Sequence, residues 1–208
     1  VENAWISRFL NSGQSCIAAK RFIVVPAIAD EFTRRFKLGV EALQVGDPLD
    51  ESTQVGPLAR FDLRDELHRQ VVESIKQGAV AVTGCNVESG SGAFYQASIL
   101  DRVTPDVCAY HEELFGPVAS IIRAADEADA VRIANDTEFG LGGSVWTQDS
   151  ARGERIARQL ECGCAFVNGL VKSEPRLPFG GVKNSGYGRE LSRLGMHEFV
   201  NAKTIWIK

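Results

Sequence analysis

Apolar residues recur along the chain in two rhythms, and the switches between them divide it into elements. Residues 2–10 carry an amphipathic pattern that predicts a short helix. Arg21-Phe22-Ile23-Val24-Val25 is continuous and β-branched, as in a strand buried on both faces, and Pro26 closes it. From Asp30 to Leu43 the apolar residues Phe32, Phe36, Val40 and Leu43 fall at helical spacing. Gly46-Asp47-Pro48-Leu49-Asp50 has the chemistry of a turn. A longer helix is predicted over 59–77, with Leu63, Leu67, Val71 and Ile75 on one side and Gly78 as its cap, followed by a strand at 79–83. After a loop at 84–92, strands are predicted at 94–99 and 118–123. Helix 126–135, strand 143–147, helix 149–160 and strand 164–168 then alternate as parallel β-α-β units do. The stretch 169–188 is rich in Gly, Pro and Ser, a long irregular segment of a kind that commonly carries function. A short helix at 189–196 leads to a last strand, Thr204-Ile205-Trp206-Ile207. The pattern predicts an α/β fold, a largely parallel open sheet flanked by helices.

Composition narrows the class. The 208 residues are 44% hydrophobic and 24% charged, which is a globular chain long enough to bury a core. The net charge of −4 supplies no basic field for nucleic acid or an anionic membrane surface. No run approaches the ~18 apolar residues of a membrane span. Five cysteines, an odd number without regular spacing, point to reduced thiols and a cytoplasmic setting. The chain opens Val1-Glu2-Asn3-Ala4-Trp5 with no initiating Met and no signal-peptide pattern, so it is expected to begin inside a longer protein.

The candidate chemistry centres on Cys16, in Phe9-Leu10-Asn11-Ser12-Gly13-Gln14-Ser15-Cys16-Ile17-Ala18-Ala19-Lys20. A small, polar turn leaves room for a substrate to reach sulfur, and its backbone N–H groups can face a developing oxyanion. On spacing alone, a buried and inert Cys is the commoner role. Cys162 and Cys164 lack the nearby His of a zinc site and read as part of a core strand. Cys85 and Cys108 show no activating context, His111-Glu112-Glu113 lacks a second His, and His68 reads as a solvated helix residue. No metal site is predicted, and no Gly-x-Gly-x-x-Gly or Walker-type loop occurs.

The Cys16 segment resembles the cysteine signature of the aldehyde dehydrogenases. Matching blocks recur at 112–118, at Asn168-Gly169, at 178–190 and at Lys203-Thr204, so the resemblance spans the chain. It implies the C-terminal catalytic half of such an enzyme, with a catalytic domain at 1–196 and an oligomerisation strand at 197–208. The N-terminal dinucleotide-binding domain is expected to lie outside these residues. So are the general-base glutamate and the asparagine that gives the second oxyanion donor, and the chain alone is expected to be inactive. The resemblance makes Cys16 the nucleophile, Glu113 the partner of the nicotinamide-ribose hydroxyls and Phe115 the aromatic beside the nicotinamide of NAD or NADP. It gives the substrate side Ser173, Arg176 and Phe179. The wording of 168–192 is most similar to the succinate-semialdehyde dehydrogenase branch, in which Ser173 contacts substrate. Glu190 matches an acid sometimes given a proton-relay role, though an ion pair with Arg189 or a neighbour is the simpler expectation. The implied partners are a small aldehyde and further copies of the same chain, with no nucleic acid and no membrane. Two other classes compete: a non-catalytic relative, and a cysteine hydrolase or acyltransferase drawing its base from His68, His111 or His197.

Overall fold

In the computed structural model, which describes residues 1–208, the chain opens with α1 (Glu2–Phe9), β1 (Arg21–Val24) and α2 (Pro26–Glu41). The second helix begins at Pro26 and not at Asp30. Proline fits the first helical turn, where no backbone N–H is needed and its fixed φ is already suitable. The elements α3 (Phe61–Lys76), β2 (Val80–Thr83), β3 (Ser98–Asp101), α4 (Cys108–His111), β4 (Val118–Arg123) and α5 (Glu127–Asn135) complete a first unit, Val1–Thr137.

Its sheet has the order β1-β4-β3-β2, with β4 parallel to both neighbours and β2 antiparallel on the edge. The central strands alternate between two apolar layers, as a period of two requires. Ile99, Ala119 and Ile121 belong to the cluster that includes Phe36 and Val40 of α2. Leu100, Val118 and Ile122 belong to the one that includes Leu67 and Val71 of α3. The sheet is therefore largely parallel and flanked by helices, as the sequence pattern predicts.

Three local expectations are corrected. The buried face of α3 is Leu67, Gln70, Val71 and Ser74, while Leu63 and Ile75 are exposed. Ser74 earns its buried place by accepting the Ala109 N–H at 3.0 Å. The strand expected at 94–99 lies at Ser98–Asp101, because its register is set by β4, with Ser98 opposite Val118. Tyr95 instead bridges Val87 in the preceding loop, fully buried. His68 is not a solvated residue: its Nδ1 lies 3.2 Å from the Tyr95 hydroxyl.

Beyond the sheet, Arg123 ties β4 to α2. Its guanidinium meets the buried Asp101 carboxylate at 2.7 Å and Asp30 at 2.6 Å, and these hydrogen bonds raise its pKa.

The second unit, Glu138–Lys208, comprises β5 (Phe139–Gly140), β6 (Gly142–Val145), α6 (Ser150–Ala157), β7 (Cys164–Val167), β8 (Val182–Lys183) and α7 (Ser192–His197). The predicted β-α-β unit is present: β6 and β7 pair in parallel, joined through α6. Asp149 caps α6 by accepting the Arg152 N–H at 3.0 Å. β5 and β8 pair antiparallel. Every buried apolar side chain of the core lies in the first unit, and the buried positions of the second are Gly140, Gly153, Gly181 and Gly195.

The strand predicted at 204–207 is absent. Residues 201–208 have no regular structure, with Ile205, Trp206 and Ile207 exposed. Alternating apolar side chains make a strand only where a partner supplies ladder hydrogen bonds, and this segment has none within the chain. No helix is long and apolar enough to cross a membrane.

Candidate active site

Cys16 follows a left-handed turn. After α1 the chain enters a 3-10 turn at Leu10–Gly13, in which Asn11 (φ 53, ψ 36) and Ser12 (φ 54, ψ 30) are left-handed and Gly13 follows at φ 73. Left-handed backbone costs a non-glycine residue roughly 1–2 kcal/mol, so the turn persists only because its surroundings hold it. Those contacts are specific. Ser12 Oγ donates to the Gly56 carbonyl at 2.9 Å, and the Gln14 side chain accepts the Ala59 N–H at 2.8 Å. From below, Arg8 Nη2 donates to the Gly13 carbonyl at 2.5 Å. Cys16 stands exposed just beyond the turn. Its N–H makes no hydrogen bond to another backbone group of the chain.

Beneath Cys16 lies a charged group that sequence inspection does not pick out. Lys20 Nζ donates to the carbonyls of Ser15 (3.0 Å), Cys16 (3.2 Å) and Ala18 (3.2 Å) and pairs with Glu113 Oε1 at 2.9 Å. It also sits 5.5 Å from the centre of the Phe115 ring. The structure thus brings together the Cys16 turn, Glu113 and Phe115, three of the predicted site residues. Burial lowers the Lys20 pKa, opposed by its hydrogen bond to Glu113. Arg8 is wholly buried, and its Nε and Nη1 have no partner. Burial pulls its pKa down to about 9 against the attraction of Glu113.

Glu113 and Phe115 fit a nicotinamide riboside. Glu113 is 38% exposed, and Phe115 is a large apolar side chain 39% exposed beside it. An accessible carboxylate accepts the two donors of a vicinal diol, and an exposed aromatic face suits a flat ring.

Ser173, Arg176 and Phe179 lie on one loop of the second unit. Ser173 is exposed, and Arg176 is 85% exposed, paired with Glu174 at 2.7 Å. Phe179 is held in place by backbone bonds in both directions with Glu190, at 2.9 and 2.8 Å. It lines a groove of about 550 Å³ with β7, Lys172, Leu177, Pro178 and Leu194. The expected ion pair of Glu190 with Arg189 does not form, because Arg189 donates to the carbonyls of Gly181 and Gly188.

The other thiols differ from Cys16. Cys85 is buried, and burial pushes it up to about 11. Burial and a hydrogen bond to Glu112 push Cys108 up to about 11, and burial also raises Cys162. The histidines of the first unit are engaged elsewhere, His68 with Tyr95 and His111 with the Pro105 carbonyl at 2.7 Å. Neither makes a hydrogen bond to Cys16.

An exposed thiol beyond a strained turn, a carboxylate–aromatic pair joined to that turn through Lys20 and a largely parallel α/β sheet characterise the candidate site and its scaffold. The aldehyde dehydrogenase family model matches residues 1–205, and the chain belongs to that family. The NAD(P)+ succinate semialdehyde dehydrogenase Sad of Escherichia coli strain K12 is 49% identical over 206 residues, covering 99% of this chain and 45% of the relative. The NADP(+) succinate-semialdehyde dehydrogenase of Mycobacterium avium strain 104 is 50% identical over 207 residues, covering 100% and 44%. Among solved structures, the succinic semialdehyde dehydrogenase of Streptococcus pyogenes in complex with NADP+ superposes with a TM-score of 0.95 at 36% identity, covering 98% of this chain and 45% of that one. The chain spans less than half the length of these relatives.

Proposed function

We propose that these residues form the thiol-bearing part of an NAD- or NADP-dependent dehydrogenase that oxidises succinate semialdehyde to succinate. The observation that carries it is the exposed Cys16 joined through Lys20 to Glu113 and Phe115. In the proposed reaction the Cys16 thiolate adds to the aldehyde carbon, forming a C–S bond and an alkoxide that the Cys16 N–H faces. Bound nicotinamide supplies a two-electron acceptor for the hydride that leaves this carbon, which converts the adduct to a thioester. Water then displaces Cys16, releasing the carboxylic acid and returning the thiol. Glu113 binds the ribose hydroxyls, and Phe115 orients the ring.

On the substrate side, Ser173 takes the distal carboxylate, Phe179 forms an apolar wall, and Arg176 is available once it leaves Glu174. These three roles rest on the positions the residues hold in the family. Homo-oligomer contacts are assigned to 197–208, where Phe199 and Trp206 are exposed. Five free cysteines fit a reducing, cytoplasmic setting.

Site-resolved alkylation at neutral pH tests the nucleophile. Cys16 is expected to label first of the five, and labelling no faster than Cys85 would overturn the assignment. Ser173→Ala tests the substrate. In a full-length protein carrying these residues, kcat/KM for succinate semialdehyde should fall more than for a neutral aldehyde of equal length. A lost hydrogen bond to a charged group is worth ~1.5–3 kcal/mol, about tenfold to a hundredfold. An equal loss on both aldehydes would remove the carboxylate role.

A further inference from the structure

Gln70 and Ser74 of α3 and its cap residue Gln77 stand at the i, i+4, i+7 spacing of one helix face. Gln77 accepts the Cys108 N–H at 2.6 Å and Ser74 the Ala109 N–H at 3.0 Å, two donors that the start of α4 would otherwise leave open. Gln70 serves the other end of α4. Its Nε2 donates to Glu112 Oε2 at 2.9 Å and to the Glu113 carbonyl at 3.4 Å. Arg69 donates to the same Glu112 oxygen at 3.0 Å. The Gln70 side chain is buried, and burying an amide is costly unless it is hydrogen-bonded, so these acceptors hold it as firmly as it holds them. The residues that follow alternate. Leu114 is buried in the cluster of Leu67 and Val71, and Leu67 Cδ2 fills the space where a Cβ on Gly116 would stand. Glu113 and Phe115, lying between these anchors, keep their side chains accessible.

We propose that Gln70 is a positioning residue for the cofactor: by holding the Glu112 carboxylate and the Glu113 carbonyl against α3, it fixes the backbone from which the Glu113 carboxylate meets the nicotinamide ribose. This rests on the assignment of Glu113 as the ribose partner. Gln70 touches neither cofactor nor substrate, and it acts only through the two glutamates. Apolar packing of Leu114 fixes the depth of the segment but not its rotation, because dispersion contacts have little direction. A hydrogen bond to a backbone carbonyl is directional, and the one from Gln70 falls on the residue whose side chain has to be aimed. Glu112 supplies the second point of attachment, so the peptide between the two glutamates is held from both sides.

The test is calorimetric titration of NAD and of NADP into a full-length protein carrying these residues, with kcat at saturating cofactor and the thermal midpoint measured alongside. Gln70→Met keeps the length of the side chain and removes the donor. It is expected to raise the cofactor Kd about threefold to tenfold, while kcat stays within about threefold. Glu112→Ala, at a half-exposed side chain, should raise Kd about threefold, and Glu112→Gln, which keeps an acceptor for Gln70, should stay within about twofold of the unsubstituted protein. Glu113→Gln removes the ribose contact itself. Because Gln70 acts through Glu113, adding Gln70→Met to Glu113→Gln should raise Kd little further, whereas independent effects would multiply. Multiplying effects would overturn the proposal. So would a Gln70→Met variant with a lowered thermal midpoint and an unchanged Kd, the result expected of a side chain that only stabilises the core. Glu113→Gln with an unchanged Kd would remove the ribose assignment, and the positioning role with it. If Gln70→Met does not fold, the contrast between Glu112→Ala and Glu112→Gln decides, and equal Kd values for those two would overturn the proposal.

Discussion

Given succinate semialdehyde with NAD or with NADP, the 208 residues alone are expected to form reduced cofactor at less than about a thousandth of an ordinary dehydrogenase rate. The proposed nucleophile Cys16 and the proposed ribose partner Glu113 are present, but the chemistry needs more. Loss of one oxyanion donor costs about 10²–10³ in rate, and loss of a general base about 10²–10⁴. Glu113, tied to Lys20, is already committed and is a poor substitute for a base. The chain also carries no Gly-x-Gly-x-x-Gly or Walker-type loop to hold the cofactor phosphates. Relatives extend over more than twice its length, and the missing groups are assigned to that remainder. Absorbance of the reduced cofactor is the readout. Turnover within about tenfold of typical kcat values would show that the base lies within these residues.

The second large effect is structural and falls at the same site. Gly13→Ala is expected to destabilise the first unit by about 2–4 kcal/mol. Gly13 sits at φ 73, where an L side chain is strained, and an added Cβ would come within 2.5 Å of Arg8 Nη2 and closer still to the Gly116 carbonyl. The carbonyl is backbone and cannot step aside cheaply. Gly56→Ala is the control. Its Cβ would meet only ordinary contacts, 3.6 Å from Pro48 and 3.9 Å from Ser12 Oγ, so its effect should stay below about 1 kcal/mol. Urea unfolding of both variants decides the matter. Equal midpoints would mean that the turn before Cys16 adapts freely, and its strain would lose its structural role.

Much of this was legible in the chain because the signals were local. The β-branched run at 21–25 and the apolar run at 118–123 became the strands Arg21–Val24 and Val118–Arg123. Cys16, Glu113 and Phe115 were singled out by the resemblance of their segments to the family signature, since spacing alone favoured an inert cysteine. What escaped depends on contacts between distant residues. Phe94 and Tyr95 look like strand residues, but the register of β3 is fixed by β4, and the strand moved to Ser98. Pro26 read as a stop, although the same restriction on φ suits the start of a helix. Residues 204–207 have strand-like side chains and no partner. Arg8 reads as the polar side of an amphipathic helix and is in fact wholly buried under the Gly13 turn. Lys20 looked like the end of a signature, because its partner Glu113 lies far along the chain.

That separation sets a timetable for synthesis. β1 pairs only with β4, so Phe22 and Val24 wait for residues 118–123 before their hydrogen-bond ladder can close. Lys20 likewise waits for Glu113, and the Gly13 turn for the backbone of Gly116. At about 5–20 residues per second, the ribosome delivers those partners roughly 5–20 s after Cys16 itself. Through that interval the left-handed turn has only Arg8 and, once they emerge, Gly56 and Ala59 to hold it. On the proposed role of Cys16, the surroundings of the thiol are therefore complete only when β4 closes the sheet.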